Sequence, residues 1–308
     1  MARKRRGLPL HGWIVLDKPL GMTSSRAVAA VRRALDAQKA GHGGTLDPLA
    51  TGVLPIALGE ATKTVAWAMA GRKVYSFSLR WGETRDTDDT EGKVTATSPA
   101  RPDAAAIAEA LPRFIGDIVQ RPPAFSALKL DGERAYDLAR DGVAVALAPR
   151  PVRIEALRCL GQPDPDHAEF EAVVGKGTYI RALGRDLGEA LGTCAHVTAL
   201  RRLAVGPFAL ADAISLDKLA MLGHSAAASG HLLPIETALD DIPALALTEA
   251  DAHRLRCGQT VTPLQPSDRA RIDQLGDGAT LCATTGGKLV ALVEVAAGGL
   301  RPVRVLNL

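Results

Sequence analysis

The chain is short of nearly every feature that would announce a ligand in advance. Its 4 cysteines, Cys159, Cys194, Cys257 and Cys282, lack the paired spacing of a metal site. They read as buried or free thiols of a reducing compartment rather than as disulfides or zinc ligands. No Gly-Lys-Ser/Thr loop and no spaced glycines opening a helix are present, which argues against a nucleotide cofactor. No stretch is long and apolar enough to cross a bilayer. The basic arm Ala2-Arg3-Lys4-Arg5-Arg6 has no apolar run behind it, so it is not a signal peptide, and the expected location is the cytoplasm. An excess of one charge is missing too: 37 Lys and Arg stand against 34 Asp and Glu, a net +3. A polyanionic partner would have to be met by local arrangement of charge rather than by bulk charge.

What is present is an ordinary globular composition, 47% hydrophobic and 23% charged over 308 residues, enough for one large core and a smaller domain. One stretch stands out: Gly41-His42-Gly43-Gly44-Thr45-Leu46-Asp47-Pro48-Leu49-Ala50-Thr51-Gly52, running into the apolar Val53-Leu54-Pro55-Ile56-Ala57-Leu58. Glycines and a proline crowd it, so the backbone turns tightly or lets something approach closely. A stiff loop between regular elements can hold a reactive side chain in a cleft. The plain reading is that Asp47 opens a turn before Pro48 or caps a helix.

Around this stretch, Gly12 to Leu16 reads as a strand ended by Asp17-Lys18-Pro19, and Thr23 or Ser24 can cap a helix to about Leu35. Val74 to Trp81 alternates, with Tyr75, Phe77, Leu79 and Trp81 on one strand face. By periodicity Tyr75 is core, although a ring at the end of a buried stripe can also offer a face to a base. Gly82 to Gly92 is an acidic connection, best read as a solvated hairpin loop, with a return strand from Lys93 to Thr97. Ala104 to Ile115 reads as an amphipathic helix with Ile107, Leu111, Phe114 and Ile115 inward. Val152 to Leu160 and Ala168 to Val174 read as paired strands. Thr178 can cap a helix to Leu191, which puts Arg181 in a first turn, where the helix dipole disfavours a cation unless an anion is close. Cys194 to Val205 reads as a strand containing Leu200, and Ser215 to Leu222 as a short helix. Gly223 to Gly230 has linker composition. From Ile242 a helix near Ala250 to Arg256 and short glycine-punctuated apolar runs suggest a small β-barrel.

Four strings, Gly41 to Gly52, Arg121 to Lys129, Lys176 to Arg181 and Cys194 to Val205, closely resemble those of the TruB-type tRNA pseudouridine synthases, which act at position 55 in the TΨC arm. The resemblance implies an α+β fold: a mixed, largely antiparallel sheet with flanking helices, and a small C-terminal β-barrel-like, PUA-like RNA-binding domain. It divides the chain into a basic arm (1–10), a catalytic domain (11–222) with an RNA-clasping insertion at about 121–150, a linker region (223–241) and the PUA-like domain (242–308). It makes Asp47, Tyr75 and Arg181 catalytic, with Arg181 paired to Asp47. It assigns His42, Tyr179, Leu200 and Lys18 to substrate binding. Phe125 stands where the family more often has tyrosine, which keeps the ring and removes a hydroxyl. The implied reaction needs no cofactor or metal, and the implied partner is the TΨC stem-loop of tRNA. The expected protein is a monomer, away from membranes and without an obligatory protein partner. Two alternatives remain at this level: a non-catalytic tRNA-binding or folding protein, and a related synthase acting within a guide-RNA ribonucleoprotein.

Overall fold

The computed structural model describes residues 7–308 except 127, 131, 136, 137, 139, 140, 142, 144, 146, 224–229, 263 and 264. The basic arm, Arg140 of the insertion and most of the Gly223–Gly230 stretch therefore lie outside the described residues. Among the described residues no helix is long and apolar enough to cross a membrane.

The strand Lys73–Trp81 shows the alternation its sequence announces: Lys73, Tyr75, Phe77, Leu79 and Trp81 are buried and the residues between them half-buried. It lies inside a ten-stranded sheet, antiparallel to Ala195–Val205 on one side and to His167–Val174 on the other. Beyond His167–Val174 come Arg150–Asp164 and Gly116–Gln120, and beyond Ala195–Val205 come Ala50–Leu58, Gly12–Lys18 and Ile214–Ser215. All neighbours are antiparallel except two pairs: Gly12–Lys18 with Ile214–Ser215, and Ala50–Leu58 with Ala195–Val205. In the second, Leu200 faces Ala50 and Arg202 faces Gly52, so the central loop ends where the sheet changes direction. Gly52 must be glycine there. Its φ is +95°, and a Cβ would sit 2.2 Å from the Arg202 carbonyl oxygen.

Two apolar layers cover the sheet. One includes Leu16, Leu54, Phe77 and Phe170 under the helices Ser24–Ala34 and Ile180–Ala190, which contribute Val31, Leu183 and Leu187. Stacking of Phe77 on Phe170 at 5.3 Å, with Trp81 edge-on at 6.3 Å, fills its centre. The helix Ser24–Ala34 starts as its sequence indicates, with Thr23 Oγ1 accepting from the Arg26 N–H. The other layer holds Trp13, Val53 and Phe208 together with Leu289, Leu292 and Leu306 of the C-terminal unit. That unit is also tied on by the Lys63 ammonium, which donates to the Val305 carbonyl at 2.7 Å.

Several expectations change. The helix from Ala104 ends at Ala110, and Leu111–Phe114 forms a 3₁₀ turn because Pro112 cannot continue the α-helical hydrogen bonds; Ile115 is 43% exposed rather than inward. Tyr179, not Thr178, precedes the helix Ile180–Ala190. The C-terminal strands form an open four-stranded sheet, Ala244–Ala246, Thr280–Thr285, Lys288–Ala296 and Gly299–Val305, rather than a closed barrel. A helix over Pro266–Leu275 joins it, opened by a proline at its first position. From Leu233 onward the chain is not loose: Leu233 and Trp13 exchange two backbone hydrogen bonds of 2.8 Å, and Ile235, Ala238 and Leu239 enter the second core.

Gly52→Ala should cost more than about 2 kcal/mol, since it adds a left-handed backbone penalty to a clash with an immobile carbonyl. Gly192→Ala has a similarly positive φ of +70° but open space, and should cost only about 1 kcal/mol. Urea denaturation at unchanged m-value tests the pair; equal losses would mean the strand contact does not dictate Gly52.

Candidate active site

The central loop is held from beneath by side chains that give its backbone almost no freedom. The Ser24 hydroxyl donates to the Leu46 carbonyl at 3.0 Å and accepts from the Leu46 N–H at 2.8 Å. Arg202, 1% exposed, donates to three carbonyls, those of Val53 (2.8 Å), Gly44 (3.0 Å) and Thr45 (3.3 Å). The Lys18 ammonium, fully buried, donates to the carbonyls of Met22 (2.6 Å), Pro19 (3.0 Å) and Pro48 (3.4 Å). Burial first, then the Arg202 charge, pushes the Lys18 pKa down to about 8, against an upward pull from Asp47.

On this base sits Asp47, about one-third exposed, with Oδ2 accepting from Arg181 Nε at 2.9 Å. The misplaced first-turn cation thus has its anion, and a second one: Asp89 Oδ2 lies 3.5 Å from the same nitrogen. Arg181 Nη1 donates to the Thr87 carbonyl at 2.7 Å and Nη2 to the Phe125 carbonyl at 2.8 Å. Burial alone would lower its pKa, but the facing Asp47 and Asp89 hold it above the ordinary value, so it stays charged. One buried guanidinium therefore joins the central loop, the acidic loop and the root of the insertion.

Asp47 opens on a cleft also lined by Tyr75, Tyr179, Leu200, Lys73 and Lys176. Tyr75 is both the core rung that its periodicity indicates and part of the cleft wall. Tyr179 is fixed through its backbone: buried Gln120 accepts from its N–H at 2.8 Å and donates to its carbonyl at 3.1 Å. The Arg150 guanidinium lies 5.3 Å from the centre of its ring.

Two expected substrate contacts lie elsewhere. Lys18 is enclosed beneath the loop and reaches backbone carbonyls only, so the structure gives it a supporting place rather than an RNA-facing one. His42 is not among the cleft residues; its Nδ1 is buried without a partner among the described residues, and burial, then Arg202, lowers its pKa. The acidic connection is not the solvated loop its composition suggests. Asp88 and Asp89 are 6% and 3% exposed, with Asp88 paired to Arg185 at 3.0 Å. Nothing in the local sequence marks these acids, because their arginines lie more than 90 positions away. Gln120 and Arg202 escape notice for the same reason: their partners are backbone atoms of distant segments. His196 is packed, as expected, bonded through Nδ1 to the Glu83 carbonyl at 2.9 Å.

Comparison with known proteins gives a consistent picture. Residues 32–180 match the model of the TruB family pseudouridylate synthase N-terminal domain, and residues 181–240 that of the tRNA pseudouridylate synthase B C-terminal domain. Curated relatives called tRNA pseudouridine synthase B include one from Rhodospirillum rubrum, 56% identical over all of both chains. Another, from Bradyrhizobium diazoefficiens, is 57% identical over 99% of this chain and 88% of its own. Among solved structures, a Cbf5-Nop10-Gar1 complex matches with a TM-score of 0.73 at 25% identity, covering 100% of this chain and 90% of that one. An archaeal box H/ACA Nop10-Cbf5 complex matches at 0.72 and 23%, covering 99% and 92%.

Burial pushes the Asp88 carboxyl from 3.8 up to about 6, against the pull of Arg185 and Arg181. The folded state then holds this proton more tightly than the unfolded one, so the group's contribution is full below the unfolded value and lost as pH rises through about 6. Relative to Asp88→Asn, the parent should lose up to about 3 kcal/mol of unfolding free energy across that window. A difference that stays flat with pH would show that folding does not shift the Asp88 pKa.

Proposed function

Because the chain belongs to the TruB family of pseudouridylate synthases, we propose that Asp47, aimed by Arg181, isomerises uridine 55 to pseudouridine in the TΨC arm of tRNA. The protein is an isomerase acting on tRNA. The observation that carries the site assignment is the 2.9 Å pair between a buried arginine and a half-open carboxylate on a rigid loop. The reaction breaks a C–N glycosidic bond, turns the base and forms a C–C bond, with no net gain or loss of atoms. It calls for a carboxylate able to act at a carbon centre, by attack on the sugar, attack on the base or formation of a glycal. In the glycal route Tyr75 is the proton acceptor.

The uracil must leave its stack, which costs a few kcal/mol, so the cleft has to receive it. Tyr75 offers a ring face and Leu200 an apolar wall, while Tyr179 faces the same cleft. Residues 11–222 carry the chemistry, the insertion at about 121–150 covers the RNA arm, and residues 242–308 extend the RNA surface. The protein acts as a monomer in the cytoplasm, without an obligatory protein partner. A guide-RNA-dependent activity is the weaker reading, because the Cbf5 likeness is one of fold at low identity, whereas the tRNA enzymes match at more than half of all positions.

Mapping pseudouridine in unmodified tRNA incubated with the purified protein should show one new site, at position 55. Asp47→Asn should abolish it with tRNA affinity little changed. Arg181→Met should lower single-turnover rates by orders of magnitude, and Arg181→Lys should recover part of that loss, since it keeps the charge without the planar fork. Weak binding by Arg181→Met with normal turnover of bound tRNA would make Arg181 a phosphate contact instead.

A further inference from the structure

The floor of the cleft holds more positive charge than its carboxylate answers. Asp47 is already paired with Arg181. Among the described residues, no ion pair joins a carboxylate to Lys18, Lys73, Lys176 or Arg202. The buried ones are satisfied by neutral carbonyls: Arg202 and Lys18 as above, and Lys73, 8% exposed, by those of Met69 (2.6 Å) and Gly71 (2.5 Å). A carbonyl satisfies a donor without cancelling its charge, so these cations keep the floor of the cleft electropositive.

Two of these cations share one end of the cleft, and the strand register explains why. Lys73 lies two residues before Tyr75 on the same face of the Lys73–Trp81 strand, and both line the cleft. Val174 pairs with Lys73, so the chain leaving that strand carries Gly175-Lys176-Gly177 past the Lys73 end. Two residues of strand span about 6.6 Å, close to the reach from a pyrimidine ring to the phosphate of its own nucleotide. The Lys176 charge acts on Lys73. Burial first, then Arg202 and Lys176, pushes the Lys73 ammonium down to about 8, a misfit that a nearby anion would relieve.

We propose that Lys73 and Lys176 form a phosphate-binding subsite beside Tyr75 that takes a backbone phosphate next to the target nucleotide. This rests on the reading of the cleft as a tRNA site. With the uracil against Tyr75 and its phosphate held here, the ribose between them is fixed at both ends. The glycosidic bond is then presented to Asp47 in a single orientation.

The test uses a TΨC stem-loop RNA and versions of it with a neutral methylphosphonate at the linkage 5′ or 3′ of the target uridine. Proteins are the parent, Lys73→Met, Lys73→Arg and Lys176→Ala; Lys176 is exposed, so its variant keeps the test alive if Lys73→Met folds poorly. Losing one phosphate contact should weaken binding about tenfold at low salt and reduce the slope of log K against log salt by about 0.7. Lys73→Arg should restore most of both. One methylphosphonate should weaken parent binding about as much, and weaken Lys73→Met or Lys176→Ala no further. Additive losses at both linkages, or an unchanged salt slope in both variants, would overturn the subsite. Pseudouridine formation by the parent decides the underlying reading separately: if the parent modifies the RNA and the salt slopes do not move, only the subsite fails.

Discussion

A guanidinium that cannot reach water must find all its partners inside the protein, and Arg181 finds them on three separate segments. Its five donors and fixed plane make that a geometric demand as well as an electrostatic one. The Thr87 and Phe125 carbonyls take its two ends, and the carboxylates of Asp47 and Asp89 share its Nε edge. The positions of the central loop, the acidic loop and the root of the insertion are thereby mutually dependent. Moving any one of them strands a buried charge, which costs several kcal/mol. Asp89 deserves equal weight with Asp47 in this arrangement. It is 3% exposed and lies 3.5 Å from the same Nε that Asp47, about one-third exposed, reaches at 2.9 Å.

The surrounding architecture serves the same end. The helix carrying Arg181 packs Leu183 and Leu187 into the sheet core, so its first turn cannot rotate away. Gln120, on the outermost strand of the sheet, clamps the backbone of Tyr179 just before that turn. One turn further on, Arg185 binds Asp88 and the Arg121 carbonyl, repeating on a smaller scale the linkage made by Arg181. The segment from Arg121 is thus tied to the same helix whose Arg181 pairs with Asp47.

The parts legible in the sequence were those whose cause is local. The alternating strand at Lys73–Trp81 follows from period-two burial, the Thr23 cap from one hydroxyl and one N–H, and the stiff loop from its own glycines and Pro48. Even the Arg181 pairing left a local trace, a cation where the helix dipole disfavours it. The parts that were missed have their cause far away in the chain. Asp88 and Asp89 look like any acidic hairpin until Arg181 and Arg185 arrive. Lys18 looks like a turn residue until the Pro48 loop closes over it, and nothing local marks Arg202, whose partners Gly44, Thr45 and Val53 lie about 150 positions away. Ile115 leaves the helical pattern for a local reason, because Pro112 lies inside it.

The parallel contact between Ala50–Leu58 and Ala195–Val205 has a consequence for how the molecule comes into being. Parallel partners cannot be joined by a tight turn, and here about 150 residues separate Ala50 from Leu200. The loop-closure entropy of so distant a contact is met late, after the hairpin-like pairs to either side have formed. Gly52 against the Arg202 carbonyl, and the Arg202 side chain against Gly44, Thr45 and Val53, are made in that same step. The loop that carries Asp47 therefore lacks part of its support on a growing chain until Arg202 has emerged. A chain truncated before that strand would carry the whole Gly41–Gly52 loop with the Ser24 and Lys18 contacts but without the Arg202 ones.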